Sequence, residues 1–540
     1  MVNLGRRTRS TSQSRLPPLL PVLGGSALDV RVLPEPALLF GDFQRAVDPR
    51  VGLGLYGPFD ASDPGRRSVL RLGIIGTPEA VELLHQWIER SRGRIAPIRR
   101  ALVKGSSVSI PMDPTVYPFF PGLQNAFGLD VVTDEGLVQL ITPRMIEELR
   151  RIEFFEPRVT KLVELIISHL RVLDEKPNRP DAVIVALSTE LRTLCTIPTR
   201  QKRRTKRQAS RVDAVRTSIE REQSQGQVEL FAVTDTYHVT EQALADAAAQ
   251  ADEHGVLHHG LKARAMEIGI PTQLIWEGTL EGVNVQDDAS RAWNFWTGLY
   301  YKAGGVPWRA MGLARGTCFV GISFYVDKHD SGYRSCMAQA FSDLGEGIVM
   351  RGEPFKWDRL TSPHLTAELA DDLMRRVITE YVNHMKHLPN RVVVHKWSRY
   401  WDDERRGFEE ALREIPQVDF VAFTSRDIRF FRAGQSPPLR GTMITLGKGN
   451  VILYTRGHVP FLGTHLGPRI PRPIEIVEHF GSSTMTQICQ EILTLTKLDW
   501  NSSDFAGRDP ITTAFSEDVG HILAELPREH KPRPHYRFYM

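Results

Sequence analysis

The chain has 540 residues, 41% hydrophobic and 24% charged, a globular composition that argues against a wholly disordered, collagen-like or disulfide-scaffold protein. Its 68 Lys and Arg face 64 Asp and Glu for a net charge of +4, so any nucleic-acid role requires local clustering of positive charge rather than bulk basicity. Cys195, Cys318, Cys336 and Cys489 stand far apart with no C-x-x-C pair, which argues against a cysteine zinc site and fits a reducing cytosol; no apolar run of 18 residues offers a membrane span.

Arg6, Arg7 and Arg9 precede the first acidic residue, Asp29, and predict a disordered basic leader on a cytoplasmic protein. The literal G-x-G-x-x-G at Gly52, Gly54 and Gly57 is followed by Pro58 rather than a helix, so it predicts a glycine-rich turn and no dinucleotide site. Residues 68–76 read as a buried strand, and 78–94 as a helix behind Thr77 with an early proline. Helical spacing over 157–173, a strand at 181–187, a helix at 261–268 and a strand at 271–276 continue the alternation expected of a parallel α/β layer. A polar insertion, about 197–252, interrupts it; within 200–216 eight Lys or Arg accompany one Asp, the pattern of a solvated loop or of a contact to a nucleic-acid backbone or an acidic partner.

From Thr317 three strands, 318–326, 334–341 and 347–351, are joined by short turns. A helix at 366–385, a strand at 391–395, a helix at 403–414 and a strand at 418–424 follow. Three meandering strands and then α, β, α, β is the element order of a ribonuclease-H-like fold. A hairpin at 441–456 and helices at 485–498 and 511–523 complete the chain. His384 and His387 lack a third ligand at a useful interval and support no metal site.

The informative polar residues lie between His258 and Trp308. His258 and Lys262 are four apart on one helix face, Gln273 opens the next strand, and Asn294 and Lys302, eight apart, share one face of a second helix. Dispersed cationic and amide donors of this kind can converge on one terminal phosphate. Taken alone, they read first as surface polar groups.

The string His258-His-Gly-Leu-Lys262, then Gly269-Ile-Pro-Thr-Gln273, then Asn294 through Lys302-Ala-Gly-Gly-Val-Pro-Trp308, resembles the MID phosphate pocket of prokaryotic Argonaute proteins running into their PIWI domain. Gly54-Leu-Tyr-Gly-Pro-Phe-Asp60, Leu495-Thr-Lys-Leu-Asp-Trp-Asn501 and the apolar Phe538-Tyr-Met540 resemble further pieces of that family, so the likeness covers about residues 40–540. It implies an α/β architecture: a leader and lead-in segment packing on PIWI (1–58), a Rossmann-like MID domain (59–308) and a ribonuclease-H-like PIWI domain (309–540). Lys262, Gln273 and Lys302 would hold a guide's 5′ phosphate, with Asn294 beside them, and the carboxylate of Met540 would help hold Mg2+ at the guide 5′ end. His258 stands where the family often has tyrosine or arginine.

The same resemblance places the cleavage carboxylates, which hold two divalent ions, where this chain has Ser323 and Trp397. Residues 510–515 provide neither Asp nor His for the last ligand, and Glu353 alone could mimic the remaining one. Asp327 and Asp402 are four or more residues from the expected positions. The expectation is therefore a catalytically inactive short prokaryotic Argonaute, the residues before the first MID strand leaving no room for N and PAZ domains. Its implied partners are a guide, typically RNA, a complementary single-stranded DNA target, and an APAZ-domain effector chain (TIR, sirtuin-like or nuclease) as heterodimer, in defence against plasmids or phages. Two other readings stay open: an active guide-directed nuclease with a rearranged metal site, and a structural interaction protein that has lost guide binding.

Overall fold

In the computed structural model, Ala182–Leu187 is buried at every position. That is the mark of a parallel strand covered on both faces. It lies third in a four-stranded sheet ordered Asp130–Leu140, Val69–Gly76, Ala182–Leu187, Thr272–Trp276, all parallel. Alternate residues sort to two cores. Ile184 and Ala186 meet Leu84, Trp87 and Ile88 of the helix Pro78–Arg92 on one side. Val183 and Val185 meet Leu162, Ile166 and Leu170 of the helix Phe155–Asp174 on the other.

The second sheet has nine strands, and its centre follows the predicted element order. Thr317–Val326, Tyr333–Ser342 and Gly347–Lys356 form an antiparallel meander. After the helix Ala367–Met385, the strand Arg391–Lys396 runs parallel to Thr317–Val326, and Gln417–Ser425 runs parallel to Arg391–Lys396. Ile474–Phe480, Val451–Leu453, Thr442–Thr445 and Asp29–Val32 extend the sheet in that order, all by antiparallel pairing. The chain thus contains a Rossmann-like layer and a ribonuclease-H-like layer.

The structure describes residues 28–195 and 255–540, apart from 104–105, 283–284, 327–332, 343–344, 357–362, 426–427, 433–436, 447–448, 466–469 and 527–529. The basic residues of the leader and the insertion lie outside the described residues, as does Asp327. Among the described residues no helix is long and apolar enough to cross a membrane.

The glycine run differs from its prediction: Gly52 and Gly54 lie within a helix, Pro49–Tyr56, which Gly57 terminates at φ 71°. Asp48 caps that helix, its Oδ1 accepting from Arg50 N at 2.8 Å and Val51 N at 3.2 Å, and Pro49 takes the first turn. Gly52 is required by packing, since a Cβ there would sit 2.1 Å from Cε2 of Phe40. The helix 511–523 expected near the C-terminus is two pieces, Ile511–Ala514 and Ser516–Glu525.

Candidate functional site

The helix Gly255–Ile268 is packed on two sides. Leu257, Leu261 and Ala265 enter one core and Ala263 and Met266 the other. A helix so enclosed leaves little polar face, and Lys262 is only 2% exposed. Its ammonium donates to the carbonyl of Thr272, the first residue of the neighbouring strand.

Lys302 arrives from the helix Asp288–Lys302. Asp287 caps that helix by accepting from Ser290 N at 2.9 Å, and Trp293, Trp296, Leu299 and Tyr300 anchor it in the core. The chain then leaves through Gly304 at φ 99°. This seats Lys302, 1% exposed, where its ammonium donates to Oε1 of Gln273. The Gln273 amide nitrogen donates in turn to the Leu274 carbonyl at 3.1 Å.

Two buried ammonium groups therefore share a site whose protein partners are neutral oxygens, and among the described residues neither has a carboxylate partner. Burial brings Lys302 down to about 7. Burial, and then the charge of Lys302, hold Lys262 well below the ordinary lysine value. Burial, followed by the charges of Lys262, His259 and Lys302, keeps His258 well below its usual value and hence neutral. A site that repels its own protons is built for an anion, which would restore both ammonium ions. It offers no carboxylate side chain, and Lys302 already engages Gln273 Oε1; the side chains thus do not by themselves suit a hard divalent cation.

Three sequence-predicted residues, Lys262, Gln273 and Lys302, are brought together, with His258 close enough to feel both lysines. Asn294 is not brought to them. Eight residues put it on the same helix face but two turns away, about 12 Å along the axis. There its Oδ1 accepts from Ser503 Oγ at 2.7 Å, Ser503 N at 3.0 Å and Arg50 Nη2 at 3.5 Å. Met540 is buried, and its tail is tied to the pocket helix by Arg533, whose Nε donates to the Met266 carbonyl at 2.8 Å. Sequence reasoning did not single out that arginine, nor His259, whose Nε2 is 3.7 Å from Asp518 on the helix Ser516–Glu525. The acidic pair Glu517 and Asp518, just past 510–515, was the available signal.

The ribonuclease-H-like centre combines neutral and aromatic groups with the ion pair of Arg508 and Asp509, 3.7 Å apart. Gly321 pairs in register with His395, and the Thr512 carbonyl lies 1.8 Å from where a Cβ on Gly321 would fall, so helix Ile511–Ala514 seals that point. The His395 ring shares a 2.9 Å hydrogen bond with Thr512 Oγ1, and burial lowers it to about 3. Ser323 lies two residues beyond Gly321 and pairs with Met337. Trp397, just after its strand, stands edge-on to Phe423 at 5.6 Å, and the Arg508 guanidinium sits 5.9 Å from its ring. Met337 also pairs with Arg351, two residues before the exposed Glu353, which places Glu353 two strands, or about 10 Å, from Ser323. Asp402 is exposed at the start of its helix. Among the described residues no three His, Cys, Asp or Glu gather as a metal site.

No family model and no curated protein matches the chain. Solved structures do. One is Clostridium butyricum Argonaute bound to a guide DNA and a 19-mer target DNA, with TM-score 0.57 and 13% identity over 94% of this chain and 54% of that one. Another is Drosophila Piwi, TM-score 0.53 and 12% identity, covering 95% of this chain and 56% of that one. Aa-Ago with externally bound siRNA gives 0.51 and 16% over 95% and 56%. The likeness is of fold, that of the MID and PIWI domains of Argonaute and Piwi proteins. The chain spans about half the length of these structures, 54% of the first.

Proposed function

With the MID and PIWI fold of Argonaute as the frame, we propose that the chain anchors the 5′-phosphorylated end of a guide strand between Lys262 and Lys302 and holds a complementary target without cutting it. The observation that carries this reading is the pair of buried lysines with only neutral protein partners. A terminal phosphate would supply the missing charge, accept hydrogen bonds from both ammonium groups and take a further donor from Gln273. Base pairing would supply sequence specificity while the protein holds the strands by their backbones. Mg2+ at the guide 5′ end would draw its hard oxygen ligands from the guide phosphates and the Met540 carboxylate, since the pocket side chains lack them.

Non-cleavage is supported by Ser323 and Trp397, which cannot hold divalent ions as carboxylates do. The guide is taken as RNA and the target as single-stranded DNA. Target recognition would activate an associated APAZ-domain effector in the cytoplasm, as defence against plasmids or phages. These finer assignments rest on the resemblance of the sequence motifs.

The test compares a 5′-phosphorylated guide with its 5′-hydroxyl form in an equilibrium binding assay. Charge-assisted hydrogen bonds contribute about 1.5–3 kcal/mol each, so Lys262→Ala with Lys302→Ala should weaken the phosphorylated guide by roughly 100-fold or more and abolish the preference. Equal affinity of the unaltered chain for both guides would sink the reading. Incubated with a matched guide, target and Mn2+, the chain should leave the target intact; a guide-matched cut would overturn the non-cleaving part.

A further inference from the structure

The nine-stranded sheet has two edges, and the chain treats them differently. At Gly347–Lys356 the C-terminal tail covers the edge: Val349 N donates to the Pro534 carbonyl at 2.7 Å, and Ile348 bridges His535. At Asp29–Val32 the outer side has no backbone partner among the described residues, and all four residues are exposed. An uncovered edge is a template for another strand.

The outward-facing groups can be assigned. Leu33 N donates to the Gly441 carbonyl at 2.9 Å, and Arg31 and Asp29 lie opposite Met443 and Thr445 in the same register. Bonded pairs alternate along an antiparallel ladder, so Asp29, Arg31 and Leu33 bond inward, whereas Leu28, Val30 and Val32 turn their N–H and C=O groups outward. Those three residues also share one face of the strand, and they are 52%, 52% and 55% exposed. On that face Val30 lies opposite Ile444, which forms a small core with Ile452 and Tyr454. Asp29 and Arg31 occupy the other face, their charged groups 3.0 Å apart.

This pattern is self-complementary about a single point. An antiparallel strand from a second copy must set outward-bonding residues opposite one another. Within 28–32, pairing of three or more residues then allows centres at Asp29, Val30 or Arg31. A centre at Asp29 puts the two copies of Asp29 face to face, and a centre at Arg31 does the same with two arginines. At Val30, Asp29 of each copy faces Arg31 of the other, Val30 faces Val30 and Leu28 faces Val32, with about six new backbone hydrogen bonds. We propose that Asp29–Val32 is the pairing edge for a second copy of this chain, joining two nine-stranded sheets across a two-fold axis at Val30.

Sedimentation velocity of the full chain over a concentration series tests it. The mass should rise towards twice that of one chain. Asp29→Arg and Arg31→Asp each set like charges opposite one another at two places, and each should weaken dimerisation about tenfold or more. An equimolar mixture of the two variants restores unlike pairs and should dimerise as the unaltered chain does. Both side chains are exposed on an edge strand, so the fold is kept, and an unchanged thermal transition verifies this. A chain that stays monomeric at every concentration overturns the proposal and leaves the edge to residues 1–27 or to another protein. A dimer that both variants retain, or a mixture no more dimeric than either variant alone, overturns it as well.

Discussion

Buried cations are held in two opposite ways: Arg391 and Lys396 of the ribonuclease-H-like layer, and Arg291 of the Rossmann-like layer beside Asp288, are paired with carboxylates, whereas Lys262 and Lys302 meet neutral oxygens. In the ribonuclease-H-like layer, Arg391 meets Glu491 at 2.6 and 3.1 Å and Asp419 at 2.9 Å. Burial alone would raise Asp419, but bonds from His479, Ser483 and Arg391 hold it well below the usual carboxylate range. Lys396 is likewise paired with Glu404, whose other oxygen accepts from Leu365 N at 3.1 Å. In the Rossmann-like layer, Lys262 and Lys302 are buried as deeply and meet only a carbonyl and an amide oxygen. A buried charge whose partners are all protein groups is part of the fold, whereas one lacking a counter-charge marks a place where a ligand completes the structure.

The sharpest way to break this contrast is to remove one cation of each kind. Arg391→Met strands two buried carboxylates and should cost about 3–5 kcal/mol in chemical denaturation. Lys302→Met removes a charge that has no counter-charge and should stabilise the guide-free chain by about 1–4 kcal/mol while impairing guide binding. Equal destabilisation by both would mean that Lys302 is as fully compensated as Arg391, and the pocket would lose its reason to bind an anion.

The contrast also explains what could be read from the sequence. Ala182–Leu187 and Arg391–Lys396 were legible because strands covered on both faces are continuous apolar runs. Ile474–Phe480 was missed because Glu475, Glu478 and His479 make it look like a loop. Their polarity is absorbed by Asn450 at 3.0 Å, Arg399 at 2.9 Å and Asp419 at 2.9 Å, partners that only the tertiary fold supplies. Lys262, Gln273 and Lys302 were legible through a motif whose spacing the family resemblance supplied. Asn294 came with the same motif, yet shared periodicity says which face a residue occupies and not how far along the axis it lies.

A gentler effect sharpens the comparison through pH. Lys302 titrates at about 7 in the folded chain and near the ordinary lysine value of 10.5 when unfolded. Below about 7 both states are protonated and the burial penalty is complete. As pH rises from there toward 10.5 the unfolded chain holds more protons than the folded one, so the stability of the guide-free protein should increase. Lys302→Met should flatten that rise. A guide phosphate reverses the shift, so guide binding at pH 8 should take up at least the proton that Lys302 regains, measured by calorimetry in buffers of different ionisation enthalpy. No proton uptake would mean that the lysines are already charged in the free chain.

The smallest effect belongs to Asn294, which shares a helix face with Lys302 but not its site. Asn294→Ala removes an acceptor used by Ser503 and Arg50, but Arg50 keeps Ser290 at 3.0 Å and Asp504 at 2.8 Å. The loss should be about 1 kcal/mol of stability, the scale of one hydrogen bond. Guide affinity and its dependence on the 5′ phosphate should not change, because nothing at Asn294 reaches the ammonium groups. A fall in affinity confined to the phosphorylated guide would extend the pocket two turns up the helix and place Asn294 among its ligands.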